Sequence, residues 1–168
     1  MTSLGIGSKT FLIRIIAASI ALIILAASVY VLISRQRQQL WLININTGET
    51  LHRAKAPDGT EFSITYIHSV NRSPVTEYYQ IVDGQIYLRA LRYASFGAGM
   101  PTELADGQIL EHDDGDMLIT GYDRHIPDLC YYISRVDGHT FEIGGAAILL
   151  RTLDEPGAPI SFVVKKGG

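Results

Sequence analysis

No acidic residue occurs before Glu49, only one cysteine is present in 168 residues, and no charged side chain interrupts the stretch from Ile15 to Ser34. The lone Cys130 excludes an intramolecular disulfide framework, and no cysteine of a lipobox kind follows the apolar segment. Its neighbours Leu129, Tyr131 and Tyr132 suit a small core residue better than a nucleophile. The five histidines form no HxH or HExxH pattern, so no metal centre is expected, and no cofactor motif is present. Repeats, low-complexity tracts and amphipathic helical periodicity beyond residue 34 are also lacking.

The uncharged stretch is almost wholly Ile, Leu, Val and Ala. As a helix, about 20 such residues span roughly 30 Å, the thickness of a bilayer's hydrocarbon core. A helix satisfies its own backbone amides there. Residues 11–34 are therefore expected to cross a lipid bilayer as a signal anchor, after a tail at 1–10 and before a linker at 35–39 and a β domain at 40–168. Lys9 and Arg14 form a basic leader, and Ala26-Ala27-Ser28 offers a small-x-small cleavage site. Because apolarity continues through Ile33, an uncleaved anchor is preferred over a removed signal. Positive charge flanks both ends, with Arg35 and Arg37 on the far side, so the positive-inside rule gives little direction. The short basic tail before an export-like segment places the N-terminus in the cytoplasm. The β domain then lies outside the cytoplasm.

All seventeen acidic residues lie from Glu49 onward, against ten of the fourteen basic ones, leaving the domain a net charge of about −7. Such a surface disfavours nucleic acid and anionic lipid headgroups.

After the linker, apolar residues alternate in short runs separated by Asp-Gly and Pro-containing turns, the mark of antiparallel strands. Strands are predicted near 40–46, 51–56, 61–70, 75–82, 85–93, 108–111, 117–120, 129–136, 139–143, 146–153 and 160–164. The fold class is all-β, an antiparallel β-sandwich or small barrel preceded by one transmembrane helix.

On the third of these runs Phe62, Ile64, Tyr66, His68 and Val70 share a face; on the fourth, Val75, Glu77, Tyr79 and Ile81 do. Matching the two apolar faces suggests a four-residue loop, Asn71-Arg72-Ser73-Pro74, which sets His68 opposite Glu77 and Tyr66 opposite Tyr79. The Asp83-Gly84 turn then sets Glu77 opposite Ala90. An imidazole and a carboxylate on an apolar face require satisfaction, and three readings are open. The pair pins the hairpin register, with help from Tyr66 or Tyr79; it fixes a small polar ligand; or it is a catalytic base with Ser69 or Ser73 as nucleophile. Geometry argues against the last, because Ser69 follows His68 on the strand and points the other way.

Phe96-Gly97-Ala98-Gly99-Met100-Pro101 reads as a tight crossover or as a loop presenting successive amides to a ligand or partner. His112-Asp113-Asp114-Gly115-Asp116 lacks the ligand spacing of an EF-hand and reads as a solvated hairpin turn.

The motif Tyr66-Ile67-His68-Ser69-Val70, then Ser73-Pro74-Val75 and Glu77, then the string from Phe96 to Pro101, resembles an uncharacterised bacterial domain family. Its members are small exported or membrane-anchored proteins, typically encoded beside the permease and solute receptor of TAXI-type TRAP transporters. The resemblance spans roughly residues 40–153. It implies that Tyr66, His68, Ser69, Pro74, Glu77, Phe96, Gly97, Gly99 and Pro101 form a ligand- or partner-binding region. It also implies a non-catalytic accessory role at a TRAP transporter permease or receptor. A periplasmic small-ligand module built on His68, Glu77 and the loop 97–101 is the alternative, and a hydrolase the second.

Overall fold

The computed structural model describes residues 6–94 and 103–166, with side chains for 11–32 and from 37 onward. The expected loop residues Phe96, Gly97, Gly99 and Pro101 lie outside the described residues. Helix α1 runs Ile6–Gln36. Its Phe11–Leu32 portion is long and apolar enough to cross a membrane, a test that a signal sequence also meets. Every described side chain in that portion is exposed. Ser19 and Ser28 turn their hydroxyls back onto the carbonyls of Ile15 and Ile24, each at 2.9 Å, so these polar groups need no external partner.

One residue, Arg37, separates the helix from strand β1 (Gln38–Asn44). The strands that follow are β2 (Thr50–Lys55), β3 (Glu61–Ile67), β4 (Pro74–Val82), β5 (Gln85–Tyr93), β6 (Ile109–Asp113), β7 (Asp116–Thr120) and β8 (Arg124–His125). They continue with β9 (Cys130–Tyr132), β10 (Thr140–Ile143), β11 (Ala146–Leu149) and β12 (Pro159–Lys166). Among the described residues they form two antiparallel sheets. The smaller has the order β2-β1-β12-β9; the larger has β11-β10-β3-β4-β5-β7-β6, with the short β8 beside β5. The all-β expectation holds, and β8 is the strand that the alternation pattern did not signal.

The two sheets share one core. Leu40 and Leu42 of β1 and Ile160 and Phe162 of β12 meet Phe62, Ile64, Ile81, Phe141 and Ile143 of the larger sheet. Aromatic rings bridge the layers. Phe162 stacks on Phe62 with centroids 6.3 Å apart and meets Phe141 edge-on at 5.5 Å. Phe62 in turn stacks on Tyr79 at 5.1 Å.

Turn chemistry explains where the expected registers hold. Asp83 and Gly84 both take positive φ, 52° and 75°, as a two-residue hairpin matched to strand twist requires. Ile81 pairs with Ile86 and Tyr79 with Leu88, as anticipated. The β6–β7 hairpin closes the same way through Asp114 and Gly115, with Asp113 opposite Asp116.

The β3–β4 register differs from expectation. Tyr66 pairs with Val75, Ile64 with Glu77 and Ile67 with Pro74, so His68 does not stand across from Glu77. The strand ends at Ile67 because His68 starts a tighter local structure. Its backbone N–H donates to the Ser73 carbonyl at 2.8 Å, and Arg72 N–H donates back to the His68 carbonyl at 2.9 Å. Arg72 adopts the left-handed region, φ 54°. Pro74, expected within the loop, instead opens β4, a position that tolerates a missing amide proton. The displaced register still keeps each residue on its predicted face, because alternation has a period of two. A β-bulge between Tyr78 and Tyr79 makes a second change, setting Glu77 opposite Leu91 and Tyr78 opposite Ala90.

The ring cluster gives a direct expectation. Phe141→Ala should lower the unfolding free energy by about 3–5 kcal/mol in a denaturant titration of the full chain in detergent, and a loss below about 1 kcal/mol would contradict a packed inter-sheet core.

Candidate functional site

Glu77 points inward from the middle of β4, between the two apolar clusters of the core, and is half-buried. Tyr79, two residues on, shares its face and donates its hydroxyl to Glu77 Oε2 at 2.6 Å. Tyr66, diagonal to Glu77 across the β3–β4 ladder, donates to Oε1 at 3.4 Å. Tyr131 arrives from β9 of the other sheet and also donates to Oε2. The Tyr79 and Tyr131 hydroxyls lie 2.9 Å apart. One carboxyl group thus gathers three phenols from β3, β4 and β9.

The electrostatics follow from this packing. Burial raises all three phenols well above the ordinary tyrosine range, and the adjacent Glu77 charge and its hydrogen bonds raise them further. A phenolate here would lose water and face a carboxylate. The tyrosines are therefore fixed donors, unsuited to act as bases or nucleophiles near neutral pH. Tyr131 also packs edge-on against Phe162 at 6.0 Å, joining the polar group to the aromatic core.

His139, just before β10, completes the cluster. Its ring lies 5.8 Å from that of Tyr66 and 5.5 Å from that of Tyr131. Burial lowers its basicity, opposed by the Glu77 charge. Its Nδ1 is buried and without a hydrogen-bond partner among the described residues.

The residues singled out from sequence divide accordingly. Tyr66 and Glu77 are brought together. His68 is not part of that group: its Nδ1 accepts the backbone N–H groups of Val70 and Asn71, both at 3.3 Å, and so caps its own turn. Ser69 is exposed in that turn and Pro74 exposed at the start of β4. Among the described residues no hydrogen bond couples the hydroxyl of Ser69 or Ser73 to a histidine. Cys130 is half-buried, with its thiol pushed up by burial, which disfavours the thiolate. Among the described residues no three His, Cys, Asp or Glu side chains come together in a way that would hold a metal ion.

Tyr131 and His139 were not foreseen as site residues. The signal was present in weak form, since Leu129-Tyr131-Ile133 and His139-Phe141-Ile143 alternate with buried positions. What alternation lacks is the topology that carries Tyr131 to a carboxylate 54 residues away.

A second feature is a cleft of about 740 Å³ on the outer face of the larger sheet. Glu142, Ser63, Tyr78 and Ala90 are successive register partners across β10, β3, β4 and β5 and supply its floor. The bulge turns both Arg89 and Ala90 outward, and Arg89 and Arg92 edge the cleft opposite Glu61 and Glu142. Arg89 is held by Gln80 and Asp123, and Arg92 by Asp113.

The chain belongs to the family described as Domain of unknown function (DUF1850), whose sequence model matches residues 62–150. No curated protein and no solved structure matches it.

Two measurements test the cluster. Tyr131→Phe should cost about 1.5–3 kcal/mol of stability, the range for a hydrogen bond to a charged acceptor, and Glu77→Ala should cost more than Tyr131→Phe, because it leaves three phenols without their acceptor. A Glu77→Ala loss no larger than that of Tyr131→Phe would contradict the shared-acceptor arrangement. His139 adds a pH dependence. Its native value lies below the ordinary 6.5, so the unfolded chain takes up the proton first. Stability is then complete above the unfolded value, falls as pH drops from there through the native value, and levels off below it. His139→Phe, which keeps a ring against Tyr66 and Tyr131, should reduce the stability difference between neutral and mildly acidic buffers, read by denaturant titration at each pH.

Proposed function

We propose that the protein is a membrane-tethered, non-catalytic accessory component of a TRAP-type (TAXI) secondary transporter for organic anions or amino acids. In this reading α1 is an uncleaved anchor. The β domain faces the periplasm or cell exterior, and it docks on the permease or the solute receptor. The transporter association draws on the resemblance carried by the motif from Tyr66 to Glu77. Tethering adds to it, since confinement to one membrane raises effective concentration toward a membrane partner.

The observation that carries the non-catalytic half is the saturation of Glu77. Its oxygens accept from three phenols, and the His68 imidazole is occupied by its own turn. Glu77, Tyr66 and the His68 Nδ1 are thus committed to holding the fold, which favours the surface of the domain, rather than a reaction, as its means of action.

Affinity purification of the full chain from its native host in mild detergent should recover a permease or a solute receptor, identified by mass spectrometry. Repeated recovery of neither would end this reading. The outer cleft favours a second one, a small-ligand binding module. A thermal-shift screen of the full chain against carboxylates and amino acids should then raise its melting temperature, because a ligand that binds only the native state stabilises it.

A further inference from the structure

The net negative charge of the domain conceals a strong asymmetry. The four strands of the smaller sheet contain no acidic residue, yet β2 and β12 contribute Arg53, Lys55, Lys165 and Lys166, all four exposed. The acidic surplus lies in the larger sheet and in the connections. Register collects three of the cations on one face, while Lys166 stands opposite Gln38 on the other. Gln39 of β1 stands between Lys55 and Lys165, and two residues on, Trp41 stands between Arg53 and Val163. Inward-facing Leu40 and Leu42 are fully buried, so Gln39, Trp41 and their partners occupy the outer face. The Arg53 guanidinium lies 3.9 Å from the Trp41 ring centroid and the Lys165 ammonium 4.6 Å, a cation–aromatic stack. Trp41 Nε1 donates to Gln39 Oε1 at 3.1 Å. Among the described residues none of the four cations forms an ion pair.

Chain connectivity places this face close to the end of the helix. Gln39 is two residues beyond Arg37 and Trp41 four, which at about 3.3 Å per residue limits their separation from Arg37 to roughly 7 and 13 Å. The polar zone on each side of a bilayer is of order 5–8 Å deep, and electrostatic attraction persists for a Debye length of about 8–10 Å beyond it. Asp58 lies in the connection from β2 to β3 and Asp83 in the β4–β5 turn of the larger sheet, whose Gly84 lies beside Gln38. The cationic surface is therefore the outer face of the smaller sheet and not the whole rim.

We infer that the outer face of the smaller sheet, formed by Trp41, Arg53, Lys55 and Lys165, is a docking surface for anionic lipid headgroups, which holds the domain against the membrane that its helix enters. The inference rests on α1 being retained as an anchor. The chemistry fits this occupant: amphipathic tryptophan and lysine or arginine side chains favour the membrane interface, and clustered cations beside a membrane helix attract acidic lipid.

Trp41 is the only tryptophan in the chain, so its fluorescence reports on this face alone. The full chain is reconstituted into vesicles of phosphatidylcholine, or of phosphatidylcholine mixed with phosphatidylglycerol, each carrying a nitroxide on a fraction of the headgroups. Quenching of Trp41 should be at least about twofold greater with the anionic lipid and should fall toward the neutral value near 1 M salt, where the Debye length shrinks to about 3 Å. The combined variant Lys55→Gln, Lys165→Gln leaves Trp41 and the core in place and should lose the anionic increment while still floating with the vesicles. Flotation with equal quenching in both lipids, or an increment that survives the variant, overturns the docking surface while leaving the anchor standing. Failure to float with either vesicle overturns the anchor and this inference together.

Discussion

The domain is organised around a single acceptor group. Among the described residues Glu77 is the acidic side chain that points into the sandwich from the middle of a central strand, and three hydroxyls converge on it from β3, β4 and β9. Two belong to the larger sheet and one to the smaller, so the carboxyl group joins layers that elsewhere meet through aromatic and aliphatic contact. Directionality distinguishes the two kinds of cohesion. Phe62, Phe141 and Phe162 would tolerate small sliding of one sheet over the other, whereas a set of donors aimed at two oxygens would not. The apolar core holds the layers together, and Glu77 fixes their relative position.

This arrangement bears on how the family's motif is read. Polar residues grouped in a short motif invite a catalytic interpretation, but here His68, Tyr66 and Glu77 have local structural tasks. His68 closes a turn, Pro74 starts a strand, and Tyr66 and Glu77 bond to one another across a diagonal. Saturated groups of this kind contribute to a unique packing arrangement more readily than to chemistry, because a reacting substrate needs donors or acceptors that are still available. Polar side chains also line the two outer faces, one bearing the cleft and the other the cations around Trp41.

Much of the fold was legible because turns and alternation are local properties. Asp83-Gly84 dictated its hairpin, since both residues accept positive φ, and the alternation in 85–93 placed its buried side chains from one end of β5 to the bulge. Alternation also put Tyr66, Glu77 and Tyr79 on one face. It could not choose between registers that differ by an even number of residues, and so the expected pairing of His68 with Glu77 was lost to a turn governed by an imidazole bonding to backbone amides. Tyr131 and His139 escaped for a different reason: their relation to Glu77 exists only once β9 has joined the other sheet. Long-range juxtaposition of that sort leaves no periodic trace.

The bulge in β5 has a consequence of its own. In a regular strand Leu88 and Leu91 would face opposite sides; the extra residue shifts the phase so that both turn inward. At this phase shift the buried interior separates into two parts. Ile81, Ile86 and Leu88 pack with the smaller sheet, while Val75, Leu91, Tyr93, Met117 and Ile119 form a separate group drawn from the larger sheet alone. Glu77 sits on the seam. The part of the larger sheet that carries this second group is thereby a packing unit of its own, able to loosen by local opening while the layered part beyond the seam stays closed.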